Sequence, residues 1–365
     1  MDTGSEERER GVTVDIAQFL FSTDKVDFTI LDAPGHRDFV PNMIGGASMA
    51  DTAVLVVDAN QLESGMKGQT KEHILLAQAC GVKKIIVAVN KLDSTMPAWN
   101  ESFFKHVRDE VSKLLNGSQF KPDEVAFVPC SGLNGQNVVK PMEKDPETAW
   151  VTGHFPTLLE ALERYTSNEA TDDVVRRPLR MQISDVFRGG VTNPLSVSGR
   201  MTAGNVQVGD SVLVQPSGEA AVIRGIEVGG DGKDWAVAGQ ICNLHLTDID
   251  AQYLRAGDML CSSSKPVSVV QSFVASVRAI DSLLPQAVDV HVGRLHVPGS
   301  ISAIISTVDA KGAMVKKKPR VVKAEQQANV KITLDAGAPL EAGDVVILRA
   351  NGSTVAAGKI ERVGG

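Results

Sequence analysis

Asp32-Ala33-Pro34-Gly35-His36 follows the largely apolar run Phe28-Thr29-Ile30-Leu31, which reads as a buried strand. An Asp at a strand end, followed by a glycine, meets two needs of a nucleoside-triphosphate site. The carboxylate can hold a Mg²⁺-bound water, and the glycine amide can come close to a γ-phosphate. By itself the pentapeptide reads more readily as a turn. Its weight comes from being the second of four such segments.

The first is Arg10-Gly11-Val12-Thr13, where a threonine hydroxyl on a loop could reach the metal and its amide the γ-phosphate. The third is Asn90-Lys91-Leu92-Asp93, after the strand-like run Ile85-Ile86-Val87-Ala88-Val89. Asp93 could accept from both N1–H and the 2-amino group of guanine. Adenine has neither donor, so such a carboxylate selects guanine. Asn90 would meet the N7/O6 edge or tie loops together, and the Lys91 stem would cover the base. The fourth is Ser131-Gly132-Leu133, after Val125-Ala126-Phe127-Val128, whose amides could donate to O6. Each segment alone reads as an ordinary loop. All four in this order, three of them at carboxyl ends of strands, place a ligand where open α/β sheets bind one.

With Glu6-Glu7-Arg8-Glu9 before the first segment and Gln69-Thr70-Lys71-Glu72-His73 after the second, the chain resembles the translational GTPases of the elongation factor Tu and elongation factor 1-alpha superfamily. The resemblance covers essentially all 365 residues. The tail Asn351-Gly352-Ser353-Thr354-Val355-Ala356-Ala357-Gly358 and the segment Asp234-Trp235-Ala236-Val237-Ala238-Gly239 resemble the ribosome-rescue branch that partners Pelota more than peptide-release factor 3.

That family carries a Gly-x-x-x-x-Gly-Lys-Ser/Thr loop ahead of these motifs, and no such pattern occurs in the 365 residues. Lys67-Gly68-Gln69-Thr70 and Gly358-Lys359-Ile360 do not fit it. The resemblance therefore implies that the phosphate cradle, its strand and its helix are missing and that Met1 corresponds to an internal methionine. Splicing, an internal start, an error in reading the gene or degeneration would each account for this.

The remaining composition fits a globular protein of two to three domains. No run approaches the ~20 apolar residues of a membrane span, and the start lacks a signal peptide's apolar core. Cys80, Cys130, Cys242 and Cys261 have no paired or metal-like spacing and read as small buried hydrophobes in a reducing compartment. Lys plus Arg number 37 against 44 Asp plus Glu, a net charge of −7 that argues against a generally basic RNA-coating surface.

The patterning divides the chain at about 170 and again near 264. Strands are predicted over 26–31, 52–57, 85–89 and 125–128, and helices near 37–49, 68–80, 99–116 and 155–166. The runs at 52–57 and 85–89 are almost continuously apolar, as in a parallel sheet covered on both faces. Short alternating strands then follow, with the turns Val208-Gly209-Asp210, Ala256-Gly257-Asp258 and Ala342-Gly343-Asp344. The expected architecture is a GTP-binding domain over 1–170, α/β with a parallel sheet and lacking its first strand and P-loop. Two antiparallel β-barrels over 171–264 and 265–365 would follow it.

The resemblance also implies roles. Thr13 and Asp32 would hold Mg²⁺, the latter through water. Gly35 would contact the γ-phosphate, and Asn90, Lys91, Asp93, Ser131, Gly132 and Leu133 would bind the guanine of GTP. His36 would orient the attacking water on the ribosome, beside a gate half-formed by Val12. Chemistry of this kind proceeds by electrostatic positioning rather than by covalent catalysis. The other histidines, His73, His106, His154, His245, His291 and His296, are not spaced for chemistry. The implied partners are the ribosome and a Pelota-like or release-factor-like protein, for a cytoplasmic monomer. Lys316-Lys317-Lys318-Pro319-Arg320 reads either as a solvated face or as a contact to the partner or rRNA. The alternative function is a non-hydrolysing adaptor that binds release-factor-like or RNA-decay partners through its barrels. An aminoacyl-tRNA carrier fits the barrel segments less well.

Overall fold

A computed structural model describes residues 16–34, 40–60, 70–116, 120–121, 124–143, 145–165, 172–188, 194–309 and 313–364. They form two compact units. One draws on 21–28 and 50–168, the other on 1–20, 29–49 and 169–365.

Two strands, β1 (Ala17–Ser22) and β2 (Asp27–Asp32), pair as a two-stranded sheet. The turn between them is closed by the Thr23 amide on the Val26 carbonyl at 2.9 Å. Phe21 and Phe28 stack across it with ring centroids 4.8 Å apart. The sequence reading includes no strand over 17–22. The helix expected near 37–49 is α1 (Val40–Met49).

The smaller unit is built on β3 (Thr52–Asp58), β4 (Lys84–Asn90) and β5 (Ala126–Pro129), which form a parallel sheet in that order. Register pairs Asp58 with Asn90 and Val89 with Pro129, so the strands' carboxyl ends lie along one edge. Around the sheet run α2 (Lys71–Ala79), α3 (Glu101–Leu115) and α4 (Leu158–Arg164). Asn100 starts α3 by accepting the Ser102 amide at 2.9 Å. Buried Phe104, Val107, Val111 and Leu115 follow at helical spacing. A reciprocal capping box between Thr157 and Glu160 starts α4.

Coverage on both faces holds for β4, where Ile85 to Val89 are all buried. It fails for β3, where Val54 is 38% and Val56 62% exposed. The physical reason is the reach of α4. Its Ala161 packs with Ile86, Ala88 and Val128 of β4 and β5, and no β3 residue joins that cluster. Among the described residues the outer edge of β3 also has no ladder partner.

The larger unit holds a short helix α5 (Asp172–Val175) and two closed barrels. The strands of the first are β6 (Arg180–Arg188), β7 (Leu195–Ala203), β8 (Asn205–Gln207), β9 (Ser211–Gln215), β10 (Glu219–Val228), β11 (Asp231–Lys233), β12 (Trp235–Val237), β13 (Ile241–Thr247) and β14 (Met259–Ser262). Six of them run β10-β13-β7-β6-β14-β9, and β9 returns to β10 to close the ring. The second uses β15 (Val269–Ala279), β16 (Ala287–Val292), β17 (Leu295–Val308), β18 (Met314–Lys317), β19 (Gln327–Pro339), β20 (Val345–Ala350) and β21 (Ser353–Val363). Here β16-β20-β21-β15-β19-β17 closes through β16–β17, and β18 is left outside the ring. Each barrel has its own apolar core, around Met181, Ile183, Val197 and Leu244 in one and Phe273, Val330, Ile332 and Leu348 in the other. A two-pronged Arg180–Glu341 pair, at 2.8 and 2.7 Å, joins them.

The three Gly-Asp turns share one design. Gly209, Gly257 and Gly343 all sit near φ +96°, at 95°, 97° and 96°, where a side chain would be strained. The Asp that follows accepts the amide three residues back: Asp210 from Gln207 at 2.9 Å, Asp258 from Arg255 at 2.9 Å and Asp344 from Glu341 at 2.8 Å. Each glycine amide then donates to an isoleucine carbonyl, of Ile223, Ile183 or Ile360, whose own amide returns to the Asp carbonyl.

The cysteines fit the sequence reading. Cys130, Cys242 and Cys261 are buried and Cys80 partly so, all with free thiols. Burial pushes the Cys242 thiol up to about 12. Among the described residues no helix is long and apolar enough to cross a membrane.

Candidate functional site

The loop after β4 is shaped by its own backbone. Lys91 takes a left-handed conformation at φ 64°, and a 3₁₀ turn over Leu92–Ser94 follows. Leu92 is fully buried, and its carbonyl accepts the Trp99 amide at 2.8 Å. Beneath it, the Trp150 indole donates to the Trp99 carbonyl at 2.9 Å, and Phe104 packs edge-on against Phe155. An apolar floor thus fixes where Asn90, Lys91 and Asp93 stand.

Asn90 ties loops together. Its Oδ1 accepts the Lys91 amide at 2.8 Å and the Gly132 amide at 2.8 Å. Asp93 Oδ2 accepts from the Asn134 side-chain amide at 3.1 Å. Ser131 is fully buried, and its hydroxyl accepts the Asn134 amide at 3.3 Å. Leu133 is 89% exposed at the tip. So the structure brings together six of the residues the sequence singled out: Asn90, Lys91, Asp93, Ser131, Gly132 and Leu133.

Three partners in this cluster were not foreseen: Asp58, Asn60 and Asn134. Lys91 Nζ sits 2.8 Å from Asp58 Oδ2. Burial raises the Asp58 carboxyl, but hydrogen bonds from Lys91 and the Asn60 amide outweigh it and hold the group below its ordinary value. The hydrogen bond that Lys91 donates to Asp58 raises the Lys91 ammonium in turn. Asn60 reaches on to Ser94 Oγ at 2.9 Å. The available signal was position. Asp58-Ala59-Asn60 ends β3 level with Asn90, and Asn134 directly follows Leu133.

The remaining candidates are Asp32, Thr13, Gly35 and His36. Asp32 ends β2 and belongs to the larger compact unit. Thr13, Gly35 and His36 lie outside the described residues. For a guanine nucleotide the base half therefore fits. A carboxylate and an amide-bearing loop face the same edge, with a lysine stem beside them.

In the larger unit, Ser196 Oγ lies 2.7 Å from His245 Nδ1, and His245 Nε2 lies 3.1 Å from Glu227. The order Ser-His-Glu is that of a hydrolase triad, but Ser196 is fully buried and cannot meet a substrate. The same unit has a cavity of about 360 Å³ lined by Gln18, Met49, Ser184, Asp185 and Arg294 among others, none of them a sequence candidate.

Residues 1–168 match the elongation factor Tu GTP binding domain, and residues 281–361 the GTP-eEF1A C-terminal domain-like family. Elongation factor 1-alpha of Picrophilus torridus is 38% identical over 374 aligned positions, covering 98% of this chain and 84% of that protein. The elongation factor 1 alpha-like protein of Schizosaccharomyces pombe is 39% identical, covering 100% of this chain and 61% of that protein. Among solved structures, translation elongation factor SelB of Methanococcus maripaludis, in complex with the GTP analogue GPPNHP, superposes with a TM-score of 0.75 at 21% identity, covering 100% of this chain and 77% of its own. The Saccharomyces cerevisiae Ski7 GTPase-like domain, bound to GDP and inorganic phosphate, gives 0.77 at 17%, covering 98% and 85%. At those identities the structural likeness concerns the fold. On the sequence relationship to elongation factor 1-alpha, the chain belongs to the elongation factor Tu and elongation factor 1-alpha family of translational GTPases.

Proposed function

We propose that this chain is a guanine-nucleotide-binding factor that acts on stalled or terminating ribosomes with a Pelota-like or release-factor-like partner. The observation that carries the nucleotide part is the Asn90–Gly132 bond, which holds two loops in register beside Asp93. Asp93 reads guanine, Lys91 covers it, and the Ser131-Gly132-Leu133 backbone meets O6. Asp32, Thr13 and Gly35 attend to metal and γ-phosphate, and His36 positions water for ribosome-stimulated hydrolysis.

The second reading is the adaptor, in which the barrels bind the partner without turnover. It is supported by the separate apolar core of each barrel, and the 365 residues hold no Gly-x-x-x-x-Gly-Lys-Ser/Thr loop. Charge-assisted bonds of the kind such a loop supplies contribute about 1.5–3 kcal/mol each. The 365-residue chain is therefore expected to prefer guanine over adenine nucleotides but to bind them more weakly than micromolar. Titration with fluorescent GTP and ATP analogues tests this. Equal affinity for both would remove Asp93 as base reader, and submicromolar GTP binding would refute the adaptor's premise. In a loop-bearing form, His36→Ala is expected to keep GTP affinity and lose ribosome-stimulated hydrolysis in single turnover.

A further inference from the structure

The second barrel carries a strand its closure does not use. β18 pairs only with β17, outside the six-stranded ring, so its far edge has no ladder partner among the described residues. The segment beyond it is firmly seated, because fully buried Val322 exchanges amide bonds with Leu283 at 2.8 and 2.9 Å. The strand itself is exposed along its whole length.

Three properties of that edge can be read off directly. The first is the direction of its backbone. The Lys318 amide donates to the Ile305 carbonyl at 2.9 Å, and Lys317 pairs with Ser306 in register. That phase makes Lys317 a non-bonded position, so its N–H and C=O point away from β17. The second is charge. Lys316, Lys317, Lys318 and Arg320 are all exposed, and none forms an ion pair among the described residues. Glu325, further along, is already held by Arg278 at 2.6 Å. The third is apolar surface. Met314 is 63%, Val315 69% and Val321 50% exposed on the same segment.

A row of lysines on an edge strand ordinarily guards against pairing with another copy, and the irregularity between Thr307 and Val308 helps by twisting the edge. The guard is selective by sign, however. It repels a basic strand and attracts an acidic one. We infer that β18 is a docking edge for an extended acidic segment of a partner protein, which adds to the barrel as a further antiparallel strand. Its backbone bonds to Lys317, its carboxylates meet Lys316, Lys317, Lys318 and Arg320, and its apolar residues cover Met314 and Val315. The exposed methionine and valines, with no aromatic ring among them for a base to stack on, favour a peptide over single-stranded RNA. This surface lies on the second barrel and does not depend on the nucleotide reading.

The test uses the full chain and a fluorescent peptide of three Glu followed by three Val, about six residues long to match an ordinary strand. In antiparallel pairing it sets Glu beside the lysines and Val beside Met314 and Val315 on both faces. Three comparison probes accompany it: the same peptide N-methylated at alternate amides, a Lys/Val counterpart, and an oligouridine of similar length. Anisotropy should show the Glu/Val peptide binding, with affinity falling as salt rises. N-methylation should weaken it at least about tenfold, and so should Lys316→Glu/Lys317→Glu/Lys318→Glu, whose side chains are all on the surface. The N-methyl probe needs no altered protein, so misfolding of the triple variant cannot obscure the result. Undiminished binding of the N-methylated peptide would overturn strand addition. Tighter binding of oligouridine or of the Lys/Val peptide, or no binding of the Glu/Val peptide, would overturn the acidic partner.

Discussion

Asn90 and Gly132 stand forty-two residues apart in the chain, and the Asn90 Oδ1 accepts the Gly132 amide at 2.8 Å. The same oxygen also accepts the Lys91 amide, so one side chain fixes the mouths of two loops. Asn90→Ala removes the one oxygen that accepts both bonds and is expected to cost about 1–3 kcal/mol locally. Hydrogen exchange at the Gly132 amide should accelerate, while amides of the buried β4 core keep their protection. Unchanged exchange at Gly132 would mean the loops hold without Asn90.

Asp93→Asn bears on base choice. A carboxylate accepts from two donors at once, whereas an amide presents one acceptor and one donor. Xanthine replaces the 2-amino donor of guanine with an acceptor. The substitution should therefore move preference from guanine toward xanthine by roughly 1–3 kcal/mol, as for bidentate base contacts elsewhere. Competition between the two nucleotides against a labelled probe measures it. An unaltered ratio would take Asp93 out of recognition.

His291 sets an acid limit on the second barrel. It is 3% exposed and stacks on His296 at 4.5 Å. Burial first, then the charges of His296 and Arg349, lower it from 6.5 to about 4. The folded state resists a proton that the unfolded chain accepts. Its contribution is therefore full above about 6.5 and is lost as pH falls toward 4, on the order of 3 kcal/mol in all. Asp258 and Asp344, raised to about 6 by burial, act in the opposite sense over the same interval. The measurement is thus a difference. His291→Phe keeps the stack and should remove this share of the acid sensitivity, so the urea midpoint at pH 7 minus that at pH 5, taken with its sign, should be smaller than in the parent.

The fragment 171–365 contains both barrels, both apolar cores and the Arg180–Glu341 pair. It is expected to melt in a single cooperative transition. Arg180→Ala should lower that transition, because it leaves Glu341 without its fork. Two separate transitions in the unsubstituted fragment would show that the barrels fold independently.

The order of strands and helices was legible because apolar periodicity and strand-end motifs pointed to the same elements. Both 85–89 and 126–129 end in loops whose composition announced them. The coverage of β3 was not legible. Thr52-Ala53-Val54-Leu55-Val56-Val57 reads alike whether a helix lies over Val54 and Val56 or stops at β4. Nor could sequence spacing reveal that Asn134 holds Asp93, or that Lys91 pairs with Asp58. Both bonds join residues brought together only when three strands end at one edge. The Gly-Asp turns were readable as turns, but the carboxylate-to-amide bond inside each was not.

The uncovered face of β3 has a consequence in the cell rather than in the fold. Val54 and Val56 present a short apolar strand whose outer edge has no ladder partner among the described residues, the kind of surface that chaperones retain and proteases sample. Steady-state abundance of the 365-residue chain should then be governed by quality control, with its lifetime set by how soon that strand is masked. Val56→Lys, placed on the exposed face, should lengthen the half-life in a pulse–chase experiment without raising the melting temperature. An unchanged half-life would free β3 from any part in turnover.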